Sequence, residues 1–209
     1  MNAEWEAAAQ RIREQAGAEV VDQFTTDLRR QVELLLLNGG ETGHPVGNWR
    51  AMLVGRANRE VAQAAAIDAN PNYPMDELRS VVSLREVTVE LNEMLTVRIA
   101  ASGHTVKELM PTPEIARRFA DGMPSTRVAI AMKVHYFKNS SNNWTTNDIH
   151  DIDALAVAVA YCDAVYSDKK AMHAVRSSRE LDSFGTVLPR TPHEMADWLD
   201  QLQVVSATK

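Results

Sequence analysis

Four aspartates in one stretch, Asp148, Asp151, Asp163 and Asp168, are the residues of this chain whose type and spacing could do chemistry. They lie in Asn147–Asp168, NDIHDIDALAVAVAYCDAVYSD, around an unbroken run of small apolar residues, Ala154–Ala160. Carboxylates at both ends of a buried helix–strand unit are costly unless a cation sits between them. With Asn147 as N-cap, Asp148 and Asp151 fall three apart on one helical face near the positive end of the helix. Asp153, two residues on, points elsewhere. Asp163–Ser167, DAVYS, reads as a short buried strand, and Asp168 follows at its carboxyl end, where open parallel sheets place their ligand crevice. A helix feeding such a strand runs antiparallel to it, so topology should bring Asp148, Asp151 and Asp168 to one edge. An all-oxygen cluster of this kind suits Mg²⁺ or Mn²⁺. Such an ion can activate a water and stabilise charge developing on a phosphodiester. The plainer reading is that Asp148 serves only the helix dipole and that Asp163 and Asp168 are strand-edge residues.

Lys169, Lys170 and Arg176 flank the acidic edge, where they could contact a nucleic-acid backbone or merely solvate a helix. Lys133 and Lys138 carry the same ambiguity. Trp144, in the polar loop KNSSNNWTT, packs under that loop or stacks on a base.

The elements that must position these residues are mostly helical. Val20, Val21, Phe24, Leu28, Val32 and Leu35 recur at helical spacing within Ala3–Asn38, and Gly39–Gly40 supply a stop. A second helix is expected over about Asn48–Ala69, then a break at NPNYP. Pro74–Asp76 opens a long helix to about Ala101, striped by Leu78, Val82, Leu84, Val87, Leu91, Leu95 and Ile99. Further helices follow from Thr112–Pro113 and over Ser125–Phe137. After Asn147 the pattern becomes helix, strand, helix, strand (Thr186–Leu188), helix, the last opened by a capping box at Thr191–Glu194 with proline at its first position. That alternation implies right-handed crossovers and parallel strands. The expected fold class is therefore α/β: helix-rich, with a small parallel sheet near the C-terminus. Residues 1–121 form a helical region and 122–209 the sheet-bearing core, together one compact domain.

At 209 residues, 45% hydrophobic and 24% charged, the composition is that of a globular chain rather than a disordered one. A net charge of −6 provides no overall basic field to draw in nucleic acid. The single cysteine, Cys162, excludes an intramolecular disulfide and a cysteine zinc cluster. The amphipathic, acidic start is unlike a signal peptide, and no apolar run is long enough to span a bilayer. A soluble, cytoplasmic protein is expected. No Gly-rich phosphate loop, nucleophile elbow or redox pair is present.

The segment Asp151–Ala171, DIDALAVAVAYCDAVYSDKKA, resembles the C-terminal half of PIN-like metal-dependent ribonucleases, in which an acid opens an alanine-rich helix and an apolar strand ends in Ser/Thr shortly before another acid. Met123–Thr126 (MPST), the asparagine-rich linker with Trp144, and NDIHDIDAL add to the likeness, which covers roughly Gly122–Leu202. The resemblance implies a PIN-like βαβ core and Mg²⁺- or Mn²⁺-dependent cleavage of RNA, in a toxin or phage-defence setting. It makes Asp151 and Asp168 the principal ligands, with Asp148 and Asp163 as supporting acids and Ser167 as the hydroxyl beside them. PIN-like enzymes also begin with a strand ending in aspartate and carry an acid on an early helix, which this chain lacks. Glu60, Asp76, Glu86, Glu90 or Glu93, a protein partner, or a second copy of the chain would have to supply the missing acid.

Two other readings compete. His150–Asp151 is a literal HD pair with His104 and His135 upstream, which is the kind of set used by HD metal phosphohydrolases on an all-helical fold. Alternatively, Met75–Ala101 and the leucine-rich Val32–Leu37 form a partner surface, and the acids are merely solvated.

Overall fold

The computed structural model describes residues 18–37 and 46–206. Among them the secondary structure is helical: α1 (Ala18–Leu37), α2 (Val46–Asp68), α3 (Leu78–Arg85), α4 (Asn92–Ala101), α5 (Val106–Leu109), α6 (Pro113–Asp121), α7 (Pro124–Lys138), α8 (Thr146–Tyr161), α9 (Lys169–Arg176) and α10 (Pro192–Ser206). No helix among these residues is long and apolar enough to cross a membrane. Residues 3–17, the Gly39–Gly40 stop and the following loop to Pro45 lie outside the described residues.

The expected parallel sheet does not form. Asp163–Ser167 and Thr186–Leu188 form no strand; they meet in one isolated parallel bridge, Ala164 with Val187. Val165 N–H donates to Val187 O at 2.9 Å and Val187 N–H to Asp163 O at 2.8 Å. A parallel sheet needs cover on both faces, and here Val165 is buried while Tyr166 and Val187 stay exposed. Nor is there a third strand among the described residues to extend the ladder, because the segments on either side are helices. The α/β class is thus replaced by an all-helical one.

The described residues fall into two compact units, Met1–Pro45 with Pro74–Ile130, and Val46–Tyr73 with Ala131–Lys209. In the first unit the stripe Leu78, Val82, Val87, Leu91, Leu95 and Ile99 is buried. Its one irregular spacing, five residues from Val82 to Val87, coincides with a π-helical turn at Glu86–Glu90, where Leu91 N–H reaches Glu86 O at 2.8 Å. The wider turn absorbs the extra residue and keeps the stripe on one face. The buried Glu33 carboxylate accepts from Ser125 N–H and Ser125 Oγ, both at 3.0 Å, so α1 supplies an anion to the positive end of α7. A Cβ at Gly122 would lie 2.7 Å from the Arg29 guanidinium, which donates to Arg118 O and stacks over Phe119.

The second unit holds the acids. Here α8 packs on α2 and α9 on α8. Ile149, Ile152, Leu155, Ala156 and Val159 give α8 a buried face at helical spacing. Arg56 of α2 grips Asp153 with both guanidinium nitrogens, at 2.6 and 2.7 Å. On α9, Ala171, Met172, Ala174 and Val175 are buried. Arg176 donates to the carbonyls of Leu188 and Pro189, tying the chain that leads into α10.

Candidate functional site

Two helix starts build the site. Thr145, rather than Asn147, caps α8: Thr145 Oγ1 accepts from Asp148 N–H at 3.3 Å, while Asp148 Oδ2 accepts from Thr145 N–H at 2.8 Å and from its hydroxyl at 3.0 Å. This is a capping box with aspartate in its third position, written in the sequence as Thr145-x-x-Asp148. Asp168 caps α9, its Oδ1 accepting from Lys170 N–H at 2.8 Å and Ala171 N–H at 3.1 Å. Asp151, one turn into α8, is half-buried and has no hydrogen bond or ion pair among the described residues.

Asp148, Asp151 and Asp168 line one open cavity of ≈ 460 Å³ with Thr145, Asn147, His150 and Lys170. Burial first, then the charges of Asp168 and Asp148, hold the Asp151 carboxyl above its usual range, against the opposing pull of Lys170 and His150. Asp148 is 2% exposed, and its second oxygen, Oδ1, is ion-paired with the Lys170 ammonium. The same ammonium stands 5.1 Å above the Tyr136 ring, a cation–π distance.

Tyr136 was not distinguished by its sequence context. It is 3% exposed, and its hydroxyl is enclosed with no hydrogen-bond partner among the described residues. Burial first, then the charges of Asp148, Asp151 and Asp168, push its ionisation far above the ordinary phenol range, so it stays a neutral donor. Trp144 packs beneath its loop against Tyr136 at 5.5 Å and Phe137 at 4.9 Å between ring centroids.

Other expected participants lie elsewhere. Asp163 is exposed in the bend before the bridge and Ser167 precedes the α9 cap; neither lines the cavity. Lys169 is exposed outside it, and Arg176 is occupied with backbone carbonyls. Lys133 is buried in an ion pair with Glu60, which removes both from any ligand-binding surface. His135 faces His173 at 5.1 Å between ring centroids, and His104 lies 3.8 Å from Glu108.

Among the described residues, no three His, Cys, Asp or Glu side chains already stand as a group that could hold a metal ion. The donor chemistry nonetheless fits a hard cation. Asp151 has unengaged oxygens, Asp168 offers Oδ2, and all three acids present oxygen alone.

The chain matches no family model, no curated protein and no solved structure. The resemblance of Asp151–Ala171 to PIN-like ribonucleases is therefore not upheld. Its strand is a single bridge, and its acids belong to helix caps and a helical turn.

Proposed function

We propose that the second unit is a Mg²⁺- or Mn²⁺-dependent hydrolase of phosphodiesters, with RNA as its substrate. The observation that carries this reading is the convergence of Asp148, Asp151 and Asp168 on one open cavity beside a single ammonium, Lys170. Three carboxylates against one ammonium leave two negative charges, which one divalent cation balances. The raised ionisation of Asp151 marks the same imbalance, and strained titration of this kind concentrates at functional sites.

Asp151 and Asp168 would hold the ion. Asp148 is oriented toward the cavity by its capping box, whose cost of ordering is met by the helix itself. Bound there, the ion supplies positive charge that acidifies a nucleophilic water and offsets charge gathering on the phosphoryl oxygens. Lys170 and Asn147 offer a cation and an amide donor to a phosphate arriving at the open side.

The test is Mn²⁺ calorimetry on the wild type and on Asp151→Ala/Asp168→Ala, with cleavage of single-stranded RNA followed on the same samples. Binding and cleavage in the wild type, both lost in the double variant, are expected. Full activity in Asp151→Ala would reject the site.

A further inference from the structure

Asp148 has two oxygens, and neither is idle. Oδ2 is committed to the start of α8, where it accepts from both the backbone and the hydroxyl of Thr145. Oδ1 is therefore the oxygen that could meet an incoming ion, and the Lys170 ammonium sits on it. Asp148 itself is 3% exposed as a side chain and cannot turn to solvent, whereas Lys170 is 48% exposed on a four-carbon stem and can. The pair is thus asymmetric: the anion is fixed and the cation is mobile.

A second observation lies beneath the Lys170 ammonium. The Tyr136 hydroxyl, on a side chain 97% buried, has no partner among the described residues, yet it lies within the field of the three carboxylates that line the cavity. A buried donor left unmatched costs roughly 1–3 kcal/mol, and functional sites are where such costs persist. Lys170 lies over the face of that same ring, so the ammonium, the phenol and Asp148 form one assembly.

We propose that Lys170 is the resident cation of the acidic cavity and a built-in competitor of the divalent ion, occupying Asp148 Oδ1 until the ion displaces it. The proposal rests on the metal-site reading above and adds its regulation. Exchange keeps the charge of the buried carboxylate compensated at every stage, which a site opening to water by itself would not. Once displaced, the ammonium is free to swing to the open side of the cavity, where a phosphate would approach.

The experiment is calorimetric titration of Mn²⁺ alone into the full chain as wild type, Lys170→Met and Lys169→Met. Lys169→Met removes the same charge from the preceding residue of the same helix without touching Asp148. Lys170→Met is expected to bind Mn²⁺ about tenfold more tightly than wild type, and Lys169→Met within about twofold of wild type. Equal gains in the two variants, or no gain in Lys170→Met, would overturn the proposal. In an Asp148→Asn background the Lys170→Met gain should vanish, since the shared oxygen is gone; a gain that persists there also overturns it. Melting curves establish that each variant is folded. Cleavage of single-stranded RNA by the wild type reports separately on the proposed reaction. Cleavage without tightening in Lys170→Met rejects the competitor role alone. Tightening without cleavage upholds that role and rejects the phosphodiester reading. No Mn²⁺ binding by any variant rejects both.

Discussion

Lys133 Nζ of α7 lies 3.1 Å from Glu60 Oε1 of α2, with the two side chains 2% and 1% exposed. The pair stands in the core of the unit that carries the acidic cavity, and it fixes α2, on which α8 packs. Removing one partner from a buried ion pair weakens the compensation of the charge left behind, which typically costs up to about 3–5 kcal/mol. Glu60→Gln and Lys133→Met are each expected to lose stability on that scale in urea unfolding. Replacing both together, as Glu60→Leu/Lys133→Met, should recover most of it. A double variant as unstable as the sum of the singles would show that the two residues act independently.

Burial first, then the charges of Asp168 and Asp148, hold the Asp151 carboxyl above its usual range. A carboxyl whose folded ionisation lies above its unfolded value favours the protonated fold, so at neutral pH its charge lowers stability, and acidification through the folded value relieves that cost. Asp151→Asn should therefore raise the melting temperature at pH 7, by roughly 1–3 °C, while abolishing Mn²⁺ binding. A lower melting temperature would mean that the carboxylate has a stabilising partner.

The Tyr136 phenol makes no hydrogen bond among the described residues. Tyr136→Phe, which keeps the ring beneath Lys170 and the contact with Trp144, should leave stability unchanged or raise it by up to about 1 kcal/mol. In the presence of Mn²⁺ the same variant should lose part of the stabilisation that the ion gives the wild type. Thermal melts with and without Mn²⁺ check both halves. Identical metal-induced shifts in the two proteins would remove the phenol from the site.

His135 is kept below the usual imidazole range by burial first, then by His173 and Lys138. The fold therefore binds that proton less readily than the unfolded chain does. Stability is complete above the unfolded value near 6.5 and declines as pH falls from there toward the lowered folded value. His135→Asn should flatten the part of the stability–pH curve just below pH 6.5 while leaving the curve above pH 7 parallel to wild type. An unchanged slope in urea unfolding between pH 5 and 7 would place the linkage on another group.

How much of this was legible beforehand differs by level. Amphipathic spacing located the helices, because a stripe such as Leu78–Ile99 has to be buried whatever it packs on. The capping residues Thr112 and Thr191 mark helix starts through local hydrogen bonds that depend on a few neighbouring residues. The strand expected over Asp163–Ser167 is reduced to a bend at Asp163 and one bridging residue, Ala164. That it joins no sheet was not legible, since a ladder needs strands from elsewhere in the chain, and one bridge is all that Thr186–Leu188 provides.

The acids divide in the same way. Asp148 and Asp151 share a helical face by spacing alone, which the sequence determined without help. That Asp168 joins them as the cap of the next helix, that Asp153 is taken by Arg56, and that Asp163 faces away, depended on how α2, α8 and α9 pack. The choice of Lys170 over Lys169 as the ammonium on Asp148, and of Tyr136 as the phenol beneath it, was made only by the tertiary structure. Local chemistry reads out along the chain because its partners are a few residues apart. The pairing of Lys170 with Asp148, twenty-two residues away, is decided by burial and electrostatics in the folded unit.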